Sequence, residues 1–247
     1  MTQHSPKTML VTGAAKRIGR GIALAGAALG YDVAVHYKSG EADATDTVSA
    51  ISAMGRRAVA IQGDLSHPET AEAVLNRAVE TLGPLTLLVN NASIFRKSTL
   101  MDFDLAELND EIRINAFSPL VLCRAFAAEA PPDAAVVNLL DSRMNSYDKI
   151  HAAYHLSKRM LYDITRMLAL ELAPKIRVNA VAPGLILPPA GEDPGYLERN
   201  KKENPLGRHG SVEEIAEAVM YLARSPFVTG QIIFVDGGRH LLSSVYG

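Results

Sequence analysis

The sequence predicts an α/β fold, a single domain on one doubly wound, seven-stranded parallel sheet. Seven short apolar runs alternate with longer stretches of helical periodicity, the pattern of strands joined by crossover helices. No repeat, low-complexity tract or linker divides the 247 residues, a length that a single open α/β sheet can reach. With 48% hydrophobic and 21% charged residues the chain can bury a sizeable core, which excludes disorder for most of it.

In chain order the strands are Thr8–Thr12, Asp32–Tyr37, Ala58–Gln62, Leu85–Asn90, Ala134–Leu140, Arg177–Val181 and Ile232–Val235. The helices between them cover about 17–29, 42–54, 69–82, 104–129, 152–173 and 212–223. Two have readable starts. His67-Pro68-Glu69 places a proline in the first turn, where a missing N–H costs nothing, and Ser211-Val212-Glu213-Glu214 is a capping box. This alternation is that of a Rossmann-type sheet. Pro183–Gly210 breaks it, with Pro183, Pro188, Pro189, Pro194 and Pro205 directly after the sixth strand. Open α/β sheets bind ligands at that carboxyl edge. The segment reads as a substrate lid over about 184–210, with a plain surface loop as the alternative; so long a loop inside a compact domain favours the lid.

Composition narrows the partners. The formal net charge is −2 with both signs mixed along the chain, so no electrostatic footprint for nucleic acid or anionic lipid exists and a small molecule is the expected partner. No metal site is assigned. Cys123 is the single cysteine and cannot form an intrachain disulfide, which fits a reducing compartment. The N-terminal apolar stretch is too short for a signal-peptide core or a membrane span, and the expected location is the cytoplasm.

After the first strand comes Thr12-Gly13-Ala14-Ala15-Lys16-Arg17-Ile18-Gly19. Small residues let such a turn approach a pyrophosphate, which the free amides of the following helix would hold. The spacing is not G-x-G-x-x-G, so position in the fold carries more than the letters. Lys16 and Arg17 are unfavourable at the positive end of a helix dipole unless an anion lies nearby. The second strand ends His36-Tyr37-Lys38-Ser39, without the acid that would hold an unphosphorylated adenosine ribose. Both features point to a 2′-phosphate and so to NADPH/NADP+; solvated surface is the alternative for Arg17 and Lys38.

Tyr154 and Lys158 lie on one face of a predicted helix, a spacing that ordinary helices also contain by chance. Asp141 precedes the tyrosine by thirteen residues and is followed by Ser142. A carboxylate beside a phenol works against its ionisation unless it is protonated or bonded to a donor on the substrate. It would also repel a carbonyl oxygen gaining negative charge, which argues against a simple ketone. Alternatively, Asp141 caps the loop after the fifth strand and Ser142 does the chemistry.

Taken in order, Thr12-Gly13 to Gly19, Asp64-Leu65, Asn90-Asn91-Ala92, Asn115, Tyr154/Lys158, Pro183-Gly184 and Asp236-Gly237-Gly238 resemble the short-chain dehydrogenase/reductase family over essentially the whole chain. Arg17 stands where that family usually has a second glycine, and Asp141 where it usually has a serine. With Asn91-Ala92-Ser93-Ile94-Phe95, these departures resemble its pteridine-reductase branch, as do the segments Asp148 to Tyr154 and Asp236 to Leu241. The resemblance implies an NADPH-dependent oxidoreductase with Asp141, Tyr154, Lys158 and Asn115 as the catalytic set. It implies cofactor contacts from Gly13, Lys16, Arg17, Ile18, Gly19, His36, Tyr37, Lys38, Ser39, Asp64, Leu65, Asn91, Ala92, Ser93, Tyr154, Lys158, Pro183, Gly184, Leu185 and Ile186. The substrate set is Arg17, Ser93, Phe95, Asp141, Tyr154 and Leu187, where Leu187 replaces the usual threonine.

On this reading Phe95 stacks a pterin, though it could instead be a core aromatic under the lid. Lys158 and the oxidised nicotinamide lower the pKa of Tyr154, and Asn115 positions a water or backbone carbonyl. His151 and His155 read as solvated. A homotetramer packed through the 152–173 helix is implied, with the Arg239–Gly247 tail able to reach a neighbouring site. Reduction of a ketone, sugar or 3-oxoacyl substrate is the rival activity, and a non-catalytic NADP(H) sensor the rival from another class.

Overall fold

In a computed structural model of the protein, residues 7–145, 149–189, 191–193 and 195–242 are described. The strands β1 Thr8–Val11, β2 Asp32–Tyr37, β3 Ala58–Gln62, β4 Leu87–Asn90, β5 Ala134–Leu139, β6 Ile176–Pro183 and β7 Ile232–Val235 form one sheet in the order β3-β2-β1-β4-β5-β6-β7. All six pairings are parallel. The order reverses between β1 and β4, so the segments leaving these two strands diverge and open a crevice at the carboxyl edge, where such sheets hold ligands.

Eight α-helices cover the sheet among the described residues: α1 Arg17–Ala28, α2 Glu41–Ala53, α3 Pro68–Leu82, α4 Leu105–Ile112, α5 Ser118–Glu129, α6 Ala152–Glu171, α7 Tyr196–Asn200 and α8 Val212–Arg224. Alternation along the strands divides the core between the two faces. Met9 and Val11 of β1 pack with Ile22 of α1, Ile51 of α2 and Ile215 of α8, whereas Leu10 packs with Leu75 of α3 and Phe126 of α5. The strands are apolar on both sides because both faces are covered. Pro68 opens α3, and Ser211 and Glu214 form the capping box of α8.

The predicted single helix over 104–129 is interrupted. Between α4 and α5, Arg113–Phe117 form a π-helical turn. A π turn inserts one residue into the helical ladder and re-aims the side chains within it, and the residue at its centre is Asn115. Within the Pro-rich segment, α7 and a short 3-10 turn at Lys201–Glu203 were not expected. Two of its residues, Ala190 and Pro194, lie outside the described ones.

Asp32 ties the start of β2 to the end of the α2–β3 connection. Its side chain is 6% exposed and accepts from Arg56 at 2.6 Å, from Arg57 Nε at 2.7 Å and from the Arg57 backbone N–H at 3.1 Å. Burial works against its charge, but these donors overcome it and hold the pKa below the usual carboxylate value. A depressed acid contributes stability that is complete above its unfolded pKa, about 3.9, and is lost as the pH falls through the folded value. Asp32→Asn is expected to destabilise the fold by about 2 kcal/mol near neutral pH. In urea melts, the gap between the variant and the native chain should close as the pH drops below about 4; a gap independent of pH would show that the charge is not responsible.

Candidate active site

The turn leaving β1 is held from three sides. Gly13 has φ of 64°, its N–H donates to His36 Nδ1 at 3.1 Å, and its carbonyl accepts from Asn91 Nδ2 at 3.1 Å. Gly19 of α1 lies against it so closely that a Cβ there would stand 2.3 Å from the Gly13 oxygen. No side chain caps the N-terminus of α1, so its first amides are available to an anion. This open, small-residue cradle fits a dinucleotide pyrophosphate.

The cleft beside the turn has a volume of about 370 Å³. It brings together Gly13, Lys16, Arg17, Ile18, Gly19, His36, Tyr37, Lys38, Ser39, Asp64, Leu65, Asn91, Ala92 and Ser93, and adds Ala15, Ile94 and Ile114. Not every member reaches the cleft through its side chain. His36 is 2% exposed and spends both ring nitrogens inside the protein, its Nε2 facing the Gly63 carbonyl at 3.1 Å. Because a carbonyl can only accept, Nε2 carries the proton and Nδ1 accepts from Gly13. Burial pushes the ring pKa down to about 4, so at neutral pH His36 is an uncharged strut beneath the turn. Asn91 has a similar bracing role, donating also to the Thr12 carbonyl at 2.8 Å.

The cations divide. Lys16 is 3.7 Å from Asp43, and Lys38 is 2.8 Å from Asp64, whose pKa is held down to about 2. Burial works against the Asp64 charge, and the Lys38 and Ser66 donors overcome it. Arg17 has φ of 57°, a left-handed conformation that costs a side-chain-bearing residue roughly 1–2 kcal/mol. Its guanidinium reaches the Pro188 carbonyl at 2.7 Å, linking the turn after β1 to the Pro-rich segment. Pro183, Gly184, Leu185 and Ile186 do not line this cleft. Gly184 has a packing reason instead, since a Cβ would meet Asp236 Cα at 2.6 Å, while Leu185 and Ile186 line a second cavity of about 450 Å³ against β7.

The reactive cluster lies where β5, the π turn and α6 converge. Tyr154 donates to Asp141 Oδ2 at 3.0 Å, and Asp141 Oδ1 accepts the Arg143 backbone N–H at 2.7 Å. Asp141 therefore does cap the loop, but the same carboxyl also holds the phenol. Ser142 is 2% exposed, and among the described residues its Oγ has no hydrogen-bond partner. Lys158 donates to the Leu139 carbonyl at 2.8 Å and places its ammonium 5.8 Å over the Tyr154 ring.

The protein's own groups act on Tyr154 as expected of a carboxylate beside a phenol. The protein raises the pKa of Tyr154 well above its ordinary value, first by burial, then through Asp141 and Glu111, with Arg143 as the opposing cation. Lys158 itself is pushed down to about 8 by burial, with Asp141 and Glu111 opposing. Tyr154 is thus a neutral phenol, committed as a donor.

Asn115 is fully buried and its amide is saturated by protein partners. Nδ2 lies 2.8 Å from Glu111 Oε2 and 3.0 Å from both the Ile94 carbonyl and Ser157 Oγ. Oδ1 accepts from the Ile94 N–H at 2.9 Å and from Ser93 Oγ at 3.0 Å. The side chain braces the 91–95 segment instead of facing a ligand. Phe95, on that segment, is 44% exposed and is not a core aromatic. Its ring stacks on His151 with centroids 4.2 Å apart and meets the Tyr154 ring edge-on at 4.7 Å. His151 and His155 are 7% and 6% exposed, against the expectation that both are solvated: α6 turns them inward. Among the described residues no cluster could hold a metal ion, and no helix is long and apolar enough to cross a membrane.

A family profile described as Enoyl-(Acyl carrier protein) reductase matches residues 13–240. The chain belongs to the short-chain dehydrogenase/reductase family. It is an NAD(P)-dependent oxidoreductase of that family, built on the family's seven-stranded parallel sheet. Among solved members, FolM alternative dihydrofolate reductase 1 from Brucella canis, complexed with NADP, superposes with a TM-score of 0.91 at 34% identity, covering 97% of this chain and 96% of that one. L-rhamnose 1-dehydrogenase (NAD(P)(+)) of Sphingomonas sp. (strain SKA58) is 31% identical over 95% of this chain and 96% of that protein. The 3-oxoacyl-[acyl-carrier-protein] reductase FabG of Staphylococcus aureus (strain Mu50 / ATCC 700699) is 34% identical over 95% and 98%. Short-chain reductases so similar to this chain act on different substrate classes, so its substrate has to be read from its own residues.

Lys38 is the exposed cation at the end of β2, beside Ser39 in the cleft. Lys38→Ala is expected to raise the Kd for NADPH about tenfold, the loss of one charge-assisted contact, with NADH little changed. Titration of both cofactors by fluorescence measures this; equal weakening of the two would remove the 2′-phosphate role from Lys38.

Proposed function

We propose that the protein is an NADPH-dependent pterin reductase, taking a dihydropterin of the dihydromonapterin kind to the tetrahydropterin. The cofactor is NADP(H). The observation that carries the substrate reading is the hydrogen bond from Tyr154 to Asp141 at 3.0 Å. A carboxylate at this position opposes the charge that a ketone oxygen gains on reduction. It suits a heterocycle whose amino-pyrimidinone edge offers N–H donors and whose reducible C=N bond places developing charge on nitrogen. The unpartnered, buried Ser142 gives the ketone reading no positioned hydroxyl beside Tyr154.

The bound dinucleotide supplies the hydride, delivered to a ring carbon of the pterin. Tyr154 holds the proton, its raised pKa keeping it a neutral donor until nitrogen becomes basic enough to take it. Asp141 fixes the direction of the phenol and offers its remaining lone pairs to donors on the substrate. Phe95, braced by His151 and Tyr154, keeps nearly half of its surface open for stacking. Ser93 lines the cleft, Leu187 packs partly buried against the core, and Arg17 ties the turn after β1 to Pro188. The likeness to FolM alternative dihydrofolate reductase 1 supports the reading.

The homotetramer belongs to the same proposal. On α6, Leu161 and Leu168 are core, while Leu156, Met167 and Leu170 are exposed, apolar surface suited to a mate. Of the tail, residues 243–247 lie outside the described ones.

Asp141→Ser tests the substrate. With dihydrobiopterin, dihydromonapterin and dihydrofolate, stopped-flow NADPH consumption should slow by about 10²-fold while NADPH affinity is retained. Unchanged or faster pterin turnover in the variant, or saturating turnover by the native enzyme with a small ketone alone, would sink the pterin reading.

A further inference from the structure

Glu111 stands in the last turn of α4, four residues before Asn115, where a charged side chain would ordinarily face water. It is 1% exposed. Oε1 accepts the Arg96 backbone N–H at 3.1 Å and Oε2 accepts Asn115 Nδ2 at 2.8 Å. The Arg96 guanidinium goes elsewhere, to Asp110 at 3.3 Å.

We propose that Glu111 is a positioning residue for the reaction, orienting the Asn115 amide and balancing the charge of Lys158 within the buried cluster. The first role follows from donor and acceptor chemistry. An amide can sit in its cavity either way round, and a carboxylate, which only accepts, forces Nδ2 towards itself. Oδ1 then faces the Ile94 N–H and the Ser93 hydroxyl, which sets the segment bearing Phe95. Nδ2 also meets Ser157 Oγ, which donates to the Tyr154 carbonyl at 2.7 Å. One carboxyl thus registers the 91–95 segment against the turn of α6 that carries Tyr154.

The second role is electrostatic. Among the described residues, the charged and titratable groups facing this cluster are Lys158, Tyr154 and His155 from α6, His151 just before it, Asp141 and Arg143 after β5, Arg96 after β4, and Asp110 on α4. Glu111 and Asp141 are the acids that support the Lys158 ammonium against burial. Burial raises the Glu111 pKa to about 7 and lowers that of Lys158 to about 8, and the opposite charge of the partner works against each shift. Neither role depends on which substrate is reduced.

Glu111→Gln keeps an acceptor and removes the charge. Without that charge Lys158 loses its proton more easily, so the basic limb of the kcat/KM profile for NADPH-dependent dihydrobiopterin reduction should move about one pH unit downward. Glu111→Leu, which also strands the Arg96 N–H and leaves Asn115 Nδ2 only the Ile94 carbonyl and Ser157 Oγ, should lower kcat in addition. A basic limb unmoved in a folded Glu111→Gln enzyme would overturn the proposal and leave Glu111 as a mere acceptor. Infrared titration of 13C-glutamate-labelled protein needs no substrate and no Glu111 variant. The buried carboxyl band that titrates near pH 7 should shift to higher pH in Lys158→Met, where the ionised acid has lost its cation. A band that titrates identically with and without Lys158 would overturn the coupling.

Discussion

Asn91 joins the two halves of the sheet at the point where their order reverses, and the reactive edge is built outward from that join. Its Nδ2 reaches the carbonyls of Thr12 and Gly13, while the N–H groups of Asn91 and Ala92 both donate to Thr12 Oγ1 at 2.9 Å. The clip fixes how far the turn after β1 can open. From the other side His36 fixes the same turn, and it does so only as a neutral ring, since a protonated Nδ1 would set a donor against the Gly13 N–H. With the turn clamped between β2 and β4, α1 starts at a set distance and its unpaired amides point into the cleft.

The second constraint is the charge balance at the far end of the crevice. Tyr154, Lys158, Glu111 and Asn115 are each less than a tenth exposed, so their interactions are little screened by water. A phenol next to a carboxylate in such a place stays protonated. Lys158, bonded to the Leu139 carbonyl, acts on Tyr154 only across its ring face. Burial and Asp141 together keep Tyr154 a neutral phenol, which on the proposed function makes it the proton donor.

Those features were unequally legible in the sequence. Asp32–Tyr37, Ala58–Gln62 and Ile232–Val235 were found at their observed limits because compact apolar runs end abruptly in polar or glycine residues. The helix over 104–129 kept its apolar period through the π turn, so the added residue left no mark, although it sets the direction of Asn115. Glu111 was missed because an acid near a helix end reads as solvated surface, and only the fold brings α4 against α6. His151 and His155 were misread for the same reason, since position on a helix does not say which side the sheet occupies. The Tyr154–Asp141 pairing was legible in part: an acid near a phenol is expected to oppose its ionisation, but only the fold shows that one carboxyl both caps its loop and holds the phenol.

The two departures from the family pattern carry their own argument. Arg17 occupies a left-handed position that glycine would fill without strain, and Asp141 places a carboxylate against a buried phenol. Each is locally unfavourable, and Arg17 makes a contact that glycine, with no side chain, could not. Arg17 spans from the turn after β1 to the Pro188 carbonyl of the Pro-rich segment, and Asp141 spans from the end of β5 to Tyr154. Strain of this kind persists where the surrounding structure over-determines it, and it gathers at functional sites. The proposed substrate preference rests on these two residues, Arg17 through its bond to Pro188 and Asp141 through its bond to Tyr154.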